Sequence, residues 1–503
     1  MSLEIEQKEV NLSDAKTLVQ SKTLTDSVSI DTEEIACGDD LDKPNRQYMN
    51  KIYRRLDFRI IPALWSLYFM CSFGGAIYGL TFTMNMETNH TLPDMLHLKP
   101  KDISTASALD YVGTILFDLP MNLIMTLVSP QVWLARIVVT TGFVSIFTVV
   151  ANLRGGLIAI KFIGGIVGAG VWPGLSYYIS LWYPNEIATK RIGYYFTAAQ
   201  LAYAVAGLVS AGFQKMDGIR GYSGWQWMYI VNGCVTMAVG ISLLWWLPDR
   251  PNKKEEEETS KWKFYKKFTT TSHPIKLEHD RKLHNQDLEE RYVDIKWNFK
   301  DLFMIITDFR IWPLIIMYFG VVGAGFGLAV FGSTIISVNN PNLTGIEVSL
   351  LYAPIWLFDF AGILIMVPFA DYKTKFRPIV FSFACGVIIC GLCVTTYAEG
   401  FWSRYGGLLI AGFGLGPTVP ICMSLGAEIF AKRYGDVGAA ASAALISGLG
   451  NLGSVTCTYA LYDGWPADKA RLYEYSNMMM VLVLGVSIIA CGVFCAIRNR
   501  VRQ

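Results

Sequence analysis

Residues 60–82 read IIPALWSLYFMCSFGGAIYGLTF, an apolar stretch that contains no Asp, Glu, Lys or Arg. A membrane-spanning helix needs about 20 mainly apolar residues, because the hydrocarbon core is about 30 Å thick and a helix rises 1.5 Å per residue. The stretch is therefore predicted to cross a membrane. The same criterion, applied along the rest of the chain, marks eleven further segments.

The twelve segments form two groups of six, separated by the polar interval between Pro248 and Asp308. The first group comprises Ile60–Phe82, Thr105–Val128, Val132–Asn152, Leu157–Leu181, Gly193–Phe213 and Trp227–Leu247. The second comprises Ile311–Ile335, Glu347–Ala370, Pro378–Tyr397, Tyr405–Phe430, Val437–Leu461 and Asn477–Ala496. Two six-helix halves are the layout of the major facilitator fold. We therefore predict an all-α membrane protein with twelve transmembrane helices in two six-helix halves.

Domain boundaries follow from this division. We expect a cytosolic N-terminal tail at 1–55, a first six-helix half at 56–247, a cytosolic central loop at 248–308, a second half at 309–497 and a cytosolic C-terminus at 498–503. The tail is polar and lacks the features of a cleavable signal peptide, so it is expected to be mostly disordered. The central loop holds a charge run, Lys253–Glu258, which suits a solvated linker or, as the alternative, a regulatory docking segment.

Composition supports a lipid-embedded chain. Hydrophobic residues make up 52% of it, charged residues 17%, and the mean hydropathy is +0.36. A soluble domain carries roughly 25% charged residues. The net charge of +2 gives no reason to expect a nucleic-acid partner. All five histidines fall in loops and no Walker loop is present, so we expect no cofactor, no metal and no enzymatic activity.

Orientation is predicted from basic residues near the segment ends. Many Lys and Arg residues fall on the cytosolic side if both termini are cytosolic, although Lys99 and Arg154 fall on the other side. Asn89 and Asn342 each begin a glycosylation sequon, and both lie in extracytosolic loops under this topology. We expect a multi-pass glycoprotein of the plasma membrane, with the vacuolar and endoplasmic reticulum membranes as alternatives.

Charged side chains inside the segments are candidates for function, because on translocon scales each costs about 2.5–3.5 kcal/mol at a helix centre. Asp118 and Asp359 are central carboxylates, which suits proton coupling or structural pairing. Lys161 suits attraction of an anion, or snorkelling to the interface. At an effective dielectric near 20, a contact pair at 4 Å gains about 4 kcal/mol before desolvation. We therefore expect Asp118 and Lys161 to stabilise each other.

The substrate is expected near the midplane between the halves. The candidate binding residues are Tyr68, Tyr78, Lys161, Trp172, Gln200, Phe331, Thr418 and Asn451, chosen because aromatic, amide and basic groups suit a small ring or acid. For each aromatic residue, simple packing is the alternative. Glu428 lies near the cytosolic end of its segment, where a gating ion pair with Lys432 or Arg433 is predicted.

One stretch is more specific than the rest. Residues 164–184 read GGIVGAGVWPGLSYYISLWYP, and Asp118-Leu119-Pro120-Met121-Asn122 precedes it. Together with RRLDFRIIPAL at 54–64, these motifs resemble the fungal allantoate-permease-like family, the anion:cation symporter group of the major facilitator superfamily. The chain departs from that family at the end of the first segment, where SFGGAIYG lacks the usual Asp-Arg or Asp-Lys, and at three further positions. Lys161 stands where the family usually has Arg, and Gly168 and Asn232 stand where it usually has Glu.

The resemblance implies secondary active transport, with proton-coupled uptake of a small organic anion or vitamin-like solute. Solutes of the family include nicotinate, pantothenate, biotin, allantoate, thiamine-related compounds and sulfur amino acids. The implied partners are the solute, protons and the lipid bilayer, and a monomer is expected. The departures at Lys161, Gly168 and Asn232 motivate one alternative, a non-transporting nutrient receptor on a transporter scaffold.

Overall fold

The computed structural model describes residues 46–151, 153–183, 185–251, 274–275, 277–289, 299–372, 374–462, 465 and 468–502. Every secondary-structure element within these residues is helical. Residues 1–45 of the predicted N-terminal tail and the charge run Lys253–Glu258 lie outside these ranges. The rest of the tail forms the first turns of helix α1.

The first six predicted segments correspond to helices in the structure. These are α1 Arg46–Leu80, α2 Leu92–Met95, α3 Pro100–Leu127, α4 Pro130–Thr148, α5 Arg154–Gly168, α6 Val171–Trp182, α7 Asn185–Gln214 and α8 Gly224–Trp246. The short helix α2 belongs to the loop after α1. The fourth segment differs from the prediction, because it consists of two helices, α5 and α6, that meet at Gly170.

The remaining helices are α9 Glu278–Glu289, α10 Phe299–Thr307, α11 Ile311–Asn339, α12 Gly345–Tyr372, α13 Arg377–Tyr397, α14 Phe401–Gly450, α15 Leu452–Thr456 and α16 Glu474–Arg502. α14 is helical throughout, yet Ile446 packs against Gly426. Twenty residues of straight helix would separate these positions by about 30 Å. The chain therefore reverses direction within α14, which holds the tenth predicted segment and part of the eleventh.

Ten helices in the described part of the chain are long and apolar enough to cross a membrane. The two predicted segments that do not meet this criterion are Thr105–Val128 and Val437–Leu461. The first lies on α3 up to Leu127, and the second covers the end of α14, α15 and the helical turn Cys457–Leu461. The all-α membrane class is confirmed, and the count of twelve spans stays a prediction.

Part of the central loop is a docked helix. His284 of α9 is fully buried, and its Nε2 lies 3.1 Å from the Trp182 carbonyl oxygen. The hydroxyls of Tyr48 and Tyr53 on α1 donate to Asp280 and Asp287 of α9. Burial lowers the pKa of His284, which favours a neutral ring. The expectation of a solvated linker concerns the charge run, which lies outside the described residues, and it stays a prediction.

Small residues let neighbouring helices approach closely. A Cβ at Gly165 of α5 would clash with the Asp110 carbonyl oxygen of α3, whereas a Cβ at Gly168, one turn later, would meet nothing within 4 Å. The two glycines belong to the same small-residue pattern in the sequence. Of these two glycines, Gly165 lies at the contact between α3 and α5 and Gly168 does not.

The contrast predicts different effects of the same substitution. Gly165→Ala should push α3 and α5 apart and lower the thermal unfolding temperature in detergent, with less monodisperse protein recovered. Gly168→Ala is the matched control on the same helix and should leave both quantities near wild type. Equal stability of the two variants would contradict the close α3–α5 contact.

Candidate functional site

A cavity of about 420 Å³ lies between the two groups of helices. The first group contributes residues of α1, α3, α4, α5, α6, α7 and α8, and the second contributes residues of α11, α12 and α14 together with Asn451. Sites for small molecules in proteins typically have volumes of about 300–1,000 Å³. The volume therefore suits a small solute.

Most of the residues singled out from the sequence line this cavity. They are Tyr68, Tyr78, Asp118, Lys161, Trp172, Gln200, Asp359, Thr418 and Asn451. Phe331 does not line it, because its ring stacks on Tyr462 with the centroids 5.3 Å apart. On α11 the lining residues include Tyr318, Val322 and Val330, and the next position after Val330 is turned by about 100°. Phe331 is therefore the one candidate binding residue that does not face this cavity.

Lys161 of α5 presents its ammonium group to the cavity. Its Nζ lies 3.7 Å from the centroid of the Tyr78 ring, a cation–π contact. The Tyr78 hydroxyl donates to the Ile103 carbonyl at 3.1 Å, which fixes the ring. Among the described residues, no carboxylate lies within 4 Å of Lys161. Asp110 is the acidic group that acts on it electrostatically, and it also lines the cavity.

Asp118 of α3 has a backbone partner. Its Oδ1 accepts a hydrogen bond from the Gly170 N–H at 2.7 Å. Gly170 has φ +86°, a left-handed conformation that favours glycine, and it caps the N-terminus of α6. The expected contact pair between Asp118 and Lys161 is not formed. About two turns separate Asp118 from Asp110 along α3, and it is Asp110 that packs beside Lys161's helix at Gly164.

Aromatic rings form two walls of the cavity. Trp172 of α6 lies 5.7 Å from Tyr68 of α1 and 5.1 Å from Phe196 of α7, measured between centroids. On the other side Tyr203 of α7 stacks on Trp356 of α12 at 4.3 Å. The second pair was not singled out from the sequence, because only the packing of α7 against α12 brings the two rings together.

The two halves meet at the face that carries Asn89 and Asn342. The Gln214 side chain of α7 donates to Ser349 Oγ of α12 at 2.9 Å and accepts from the Asn85 N–H at 3.2 Å. Ser333 of α11 donates to the Gly79 carbonyl of α1 at 2.8 Å. Both sequon asparagines are exposed. Their shared face agrees with the predicted topology, and their glycosylation stays a prediction.

Ion pairs join helices away from the cavity. Arg191 of α7 holds Asp57 of α1 through two contacts of 2.8 and 2.7 Å. Arg377 of α13 lies 3.5 Å from Glu428 of α14. Glu428 therefore has a partner that was not predicted, Arg377, which lies fifty-one residues earlier in the sequence. The predicted gating pair of Glu428 with Lys432 or Arg433 stays a prediction. The side chains of Lys432 and Arg433 lie outside the described part of the structure.

The chain is similar to known transporters along most of its length. The family model for the Major Facilitator Superfamily matches residues 64–458. The sequence is 44% identical to Vitamin H transporter 1 of Schizosaccharomyces pombe, over 88% of this chain and 79% of that protein. It is 40% identical to an uncharacterized transporter of the same yeast, over 88% of this chain and 72% of that protein.

A solved structure shares the fold. It is a bacterial homologue of the human lysosomal transporter Spinster, in an inward-facing and unoccupied conformation. The TM-score is 0.58 at 13% sequence identity, covering 90% of this chain and 97% of that one. At this identity the similarity concerns the fold alone.

The Asp118–Gly170 hydrogen bond predicts a contrast between two substitutions. Asp118→Ala removes the acceptor and leaves a buried N–H unpaired, which should lower the free energy of unfolding by about 1–3 kcal/mol. Asp118→Asn keeps an acceptor oxygen and should cost less. Denaturant titration in detergent micelles measures both. An equal loss in the two variants, or no loss in either, would contradict a stabilising role of this hydrogen bond.

Proposed function

The chain belongs to the Major Facilitator Superfamily and is a multi-pass membrane transporter, not an enzyme; from this premise we propose that it takes up a small organic anion or vitamin-like solute, coupled to protons. The motifs around residues 164–184 support placing it in the anion:cation symporter group of that superfamily. The similarity to Vitamin H transporter 1 makes vitamin H, biotin, the first solute to test. Nicotinate, pantothenate and allantoate are further candidates.

The position of Lys161 carries the proposal. An ammonium group inside a membrane protein is costly unless an opposite charge or water compensates it. Lys161 lines the cavity over the Tyr78 ring and has no carboxylate at ion-pairing distance in the described structure. The carboxylate of a solute would supply that partner, and the rings of Tyr68 and Trp172 would cover its apolar part.

Proton coupling is proposed at the two buried carboxylates that line the cavity. Asp118 is 7% exposed and Asp359 is 2% exposed. Asp118 also holds the N-terminus of α6 through Gly170, so a change in its protonation would act on the helix that carries Trp172. Asp359 lies on α12 in the second half. The two carboxylates would thus place a proton site in each half.

Alternating access is the proposed mechanism. The hydrogen bonds of Gln214 and Ser333 join the halves at the face with Asn89 and Asn342, and we propose that they close the cavity there. We propose that this face is extracytosolic, that both termini are cytosolic, and that the cavity of this conformation opens to the cytosol. The protein would act as a monomer in the plasma membrane, with release of the solute followed by separation of the halves at the closed face.

Uptake of labelled biotin by cells that lack their own biotin uptake tests the proposal. Cells expressing the chain should accumulate biotin, and a protonophore should abolish the accumulation. Lys161→Ala should lower the uptake kcat/KM at least about tenfold, which corresponds to about 1.4 kcal/mol. Lys161→Arg keeps the charge and should retain much of the activity.

Lys101→Ala, at an exposed position of α3, is the control and should transport normally. Full activity of Lys161→Ala at wild-type surface expression would remove Lys161 from the binding site. Accumulation that ignores the protonophore would contradict proton coupling. Biotin binding to reconstituted vesicles without any flux would favour the receptor alternative.

A further inference from the structure

We propose that the cavity contains a second recognition subsite, formed by Gln200, Trp356 and Asp359 where α7 crosses α12, which binds an amide or urea group of the solute. This inference rests on the proposed function, because it assigns the opposite end of the same solute whose carboxylate would meet Lys161. It names a chemical class, a small carboxylate that also carries a neutral N–H and C=O group.

Three buried polar atoms in this wall have no hydrogen-bond partner in the described structure. They are Gln200 Oε1, Trp356 Nε1 and Asp359 Oδ1. The three residues are 7%, 4% and 2% exposed, and all line the cavity. An unpaired buried polar group costs about 1–3 kcal/mol, and folded proteins contain few of them. Three such atoms in one wall indicate a site where a ligand supplies the missing hydrogen bonds.

The geometry of the crossing brings these atoms together. Gln200 and Tyr203 are one turn apart on α7, as are Trp356 and Asp359 on α12, so each pair lies on one helix face. The stacked rings of Tyr203 and Trp356, 4.3 Å apart, set the level of the crossing. The Gln200 side chain lies beside the Asp359 carboxyl group. The three residues thus form one cluster rather than three separate defects.

The neighbouring residues do not supply hydrogen-bond partners for the three atoms. Gly416 of α14 packs closely against Asp359, because a Cβ there would lie only 2.7 Å from Oδ1, and glycine has no side-chain donor to offer that oxygen. The Tyr352 hydroxyl, one turn before Trp356, donates to the Ala329 carbonyl at 3.1 Å, and although its oxygen lies near the indole it forms no hydrogen bond with Trp356 Nε1. Lys161 is the one basic side chain among the cavity-lining residues that the structure describes, and it belongs to α5 in the first half. No basic group of the cavity wall is therefore placed to neutralise Asp359.

The set of two acceptors and one donor selects the ligand class. The N–H groups of an amide or urea would donate to Gln200 Oε1 and Asp359 Oδ1, and its C=O would accept from Trp356 Nε1. A carboxylate would leave both acceptors unpaired and would be repelled by an ionised Asp359. An ammonium group would leave Trp356 Nε1 unpaired. A protonated Asp359 keeps one acceptor oxygen, so the subsite is compatible with proton carriage.

The location also has a mechanical consequence. α7 belongs to the first half and α12 to the second, so a group bound at their crossing contacts both halves at once. Lys161 contacts the solute from the first half alone. The affinity of the crossing for this group would therefore depend on the relative position of the two halves. The affinity at Lys161 would not depend on it.

Equilibrium binding to the full-length protein in proteoliposomes tests the subsite with two matched probes. Biotin carries a carboxylate and a urea group, and heptanoate carries a carboxylate and an alkyl chain. Wild type should prefer biotin at least tenfold. Trp356→Phe, which keeps the stacking ring, and Gln200→Leu should each weaken biotin binding at least about fivefold while changing heptanoate competition less than twofold. Lys161→Ala should weaken both probes.

Trp402→Phe, at an exposed position of α14, is the matched control and should bind both probes as wild type does. Biotin affinity at wild-type level in both Trp356→Phe and Gln200→Leu would overturn the subsite while leaving the Lys161 site intact. Equal wild-type affinity for biotin and heptanoate would also overturn it. Loss of both probes to the same extent in the two variants, with normal size-exclusion profiles, would assign these residues to general packing instead. Failure of wild type to bind either probe would count against the proposed function itself.

Discussion

The hydrogen bond from the Gly170 N–H to Asp118 Oδ1 is the interaction on which the cavity depends. A backbone N–H in the membrane interior must find a partner within the protein, because no water is available there. The break between α5 and α6 frees one such group, and Asp118 accepts it at 2.7 Å. The positive end of the α6 dipole also favours a carboxylate at this place. The break in turn sets the direction of α6 and so brings Trp172 to the cavity wall.

Three charged side chains near this hydrogen bond are each stabilised by a group other than an opposite charge. Asp118 is held by a helix terminus, Lys161 by the face of the Tyr78 ring, and Asp359 lies beside Gln200. None of the three forms a close ion pair with another in the described structure, and all three line the same cavity. Charges that were only structural would gain most from direct pairing. Their separation is the reason for proposing that they bind a solute and a proton.

The sequence predicts the membrane class well because a long apolar segment has few alternatives in lipid. The segment Ile60–Phe82 illustrates this, since all but its last two residues lie in α1. The residues predicted for the cavity mostly line it, since polar and aromatic groups in a spanning helix tend to face the interior. The misses depend on rotation and on tertiary contacts. Phe331 is about 100° away from the lining residue Val330, and the partners of Asp118 and Glu428 come from distant segments. The unpaired atoms of Gln200 and Trp356 are visible only once α7 and α12 are packed.

Thiol labelling of Gly168→Cys tests the central claim, that the cavity between the halves holds the solute, most directly. Gly168 lines the cavity and has open space around its Cα, so a cysteine fits without displacing neighbours. Cys71 also lines the cavity and is first replaced by Ser. A membrane-impermeant maleimide should label Gly168→Cys in vesicles that expose the cytosolic face, and biotin should slow the labelling in a concentration-dependent way. Labelling that biotin leaves unchanged, at concentrations that saturate uptake, would contradict the account.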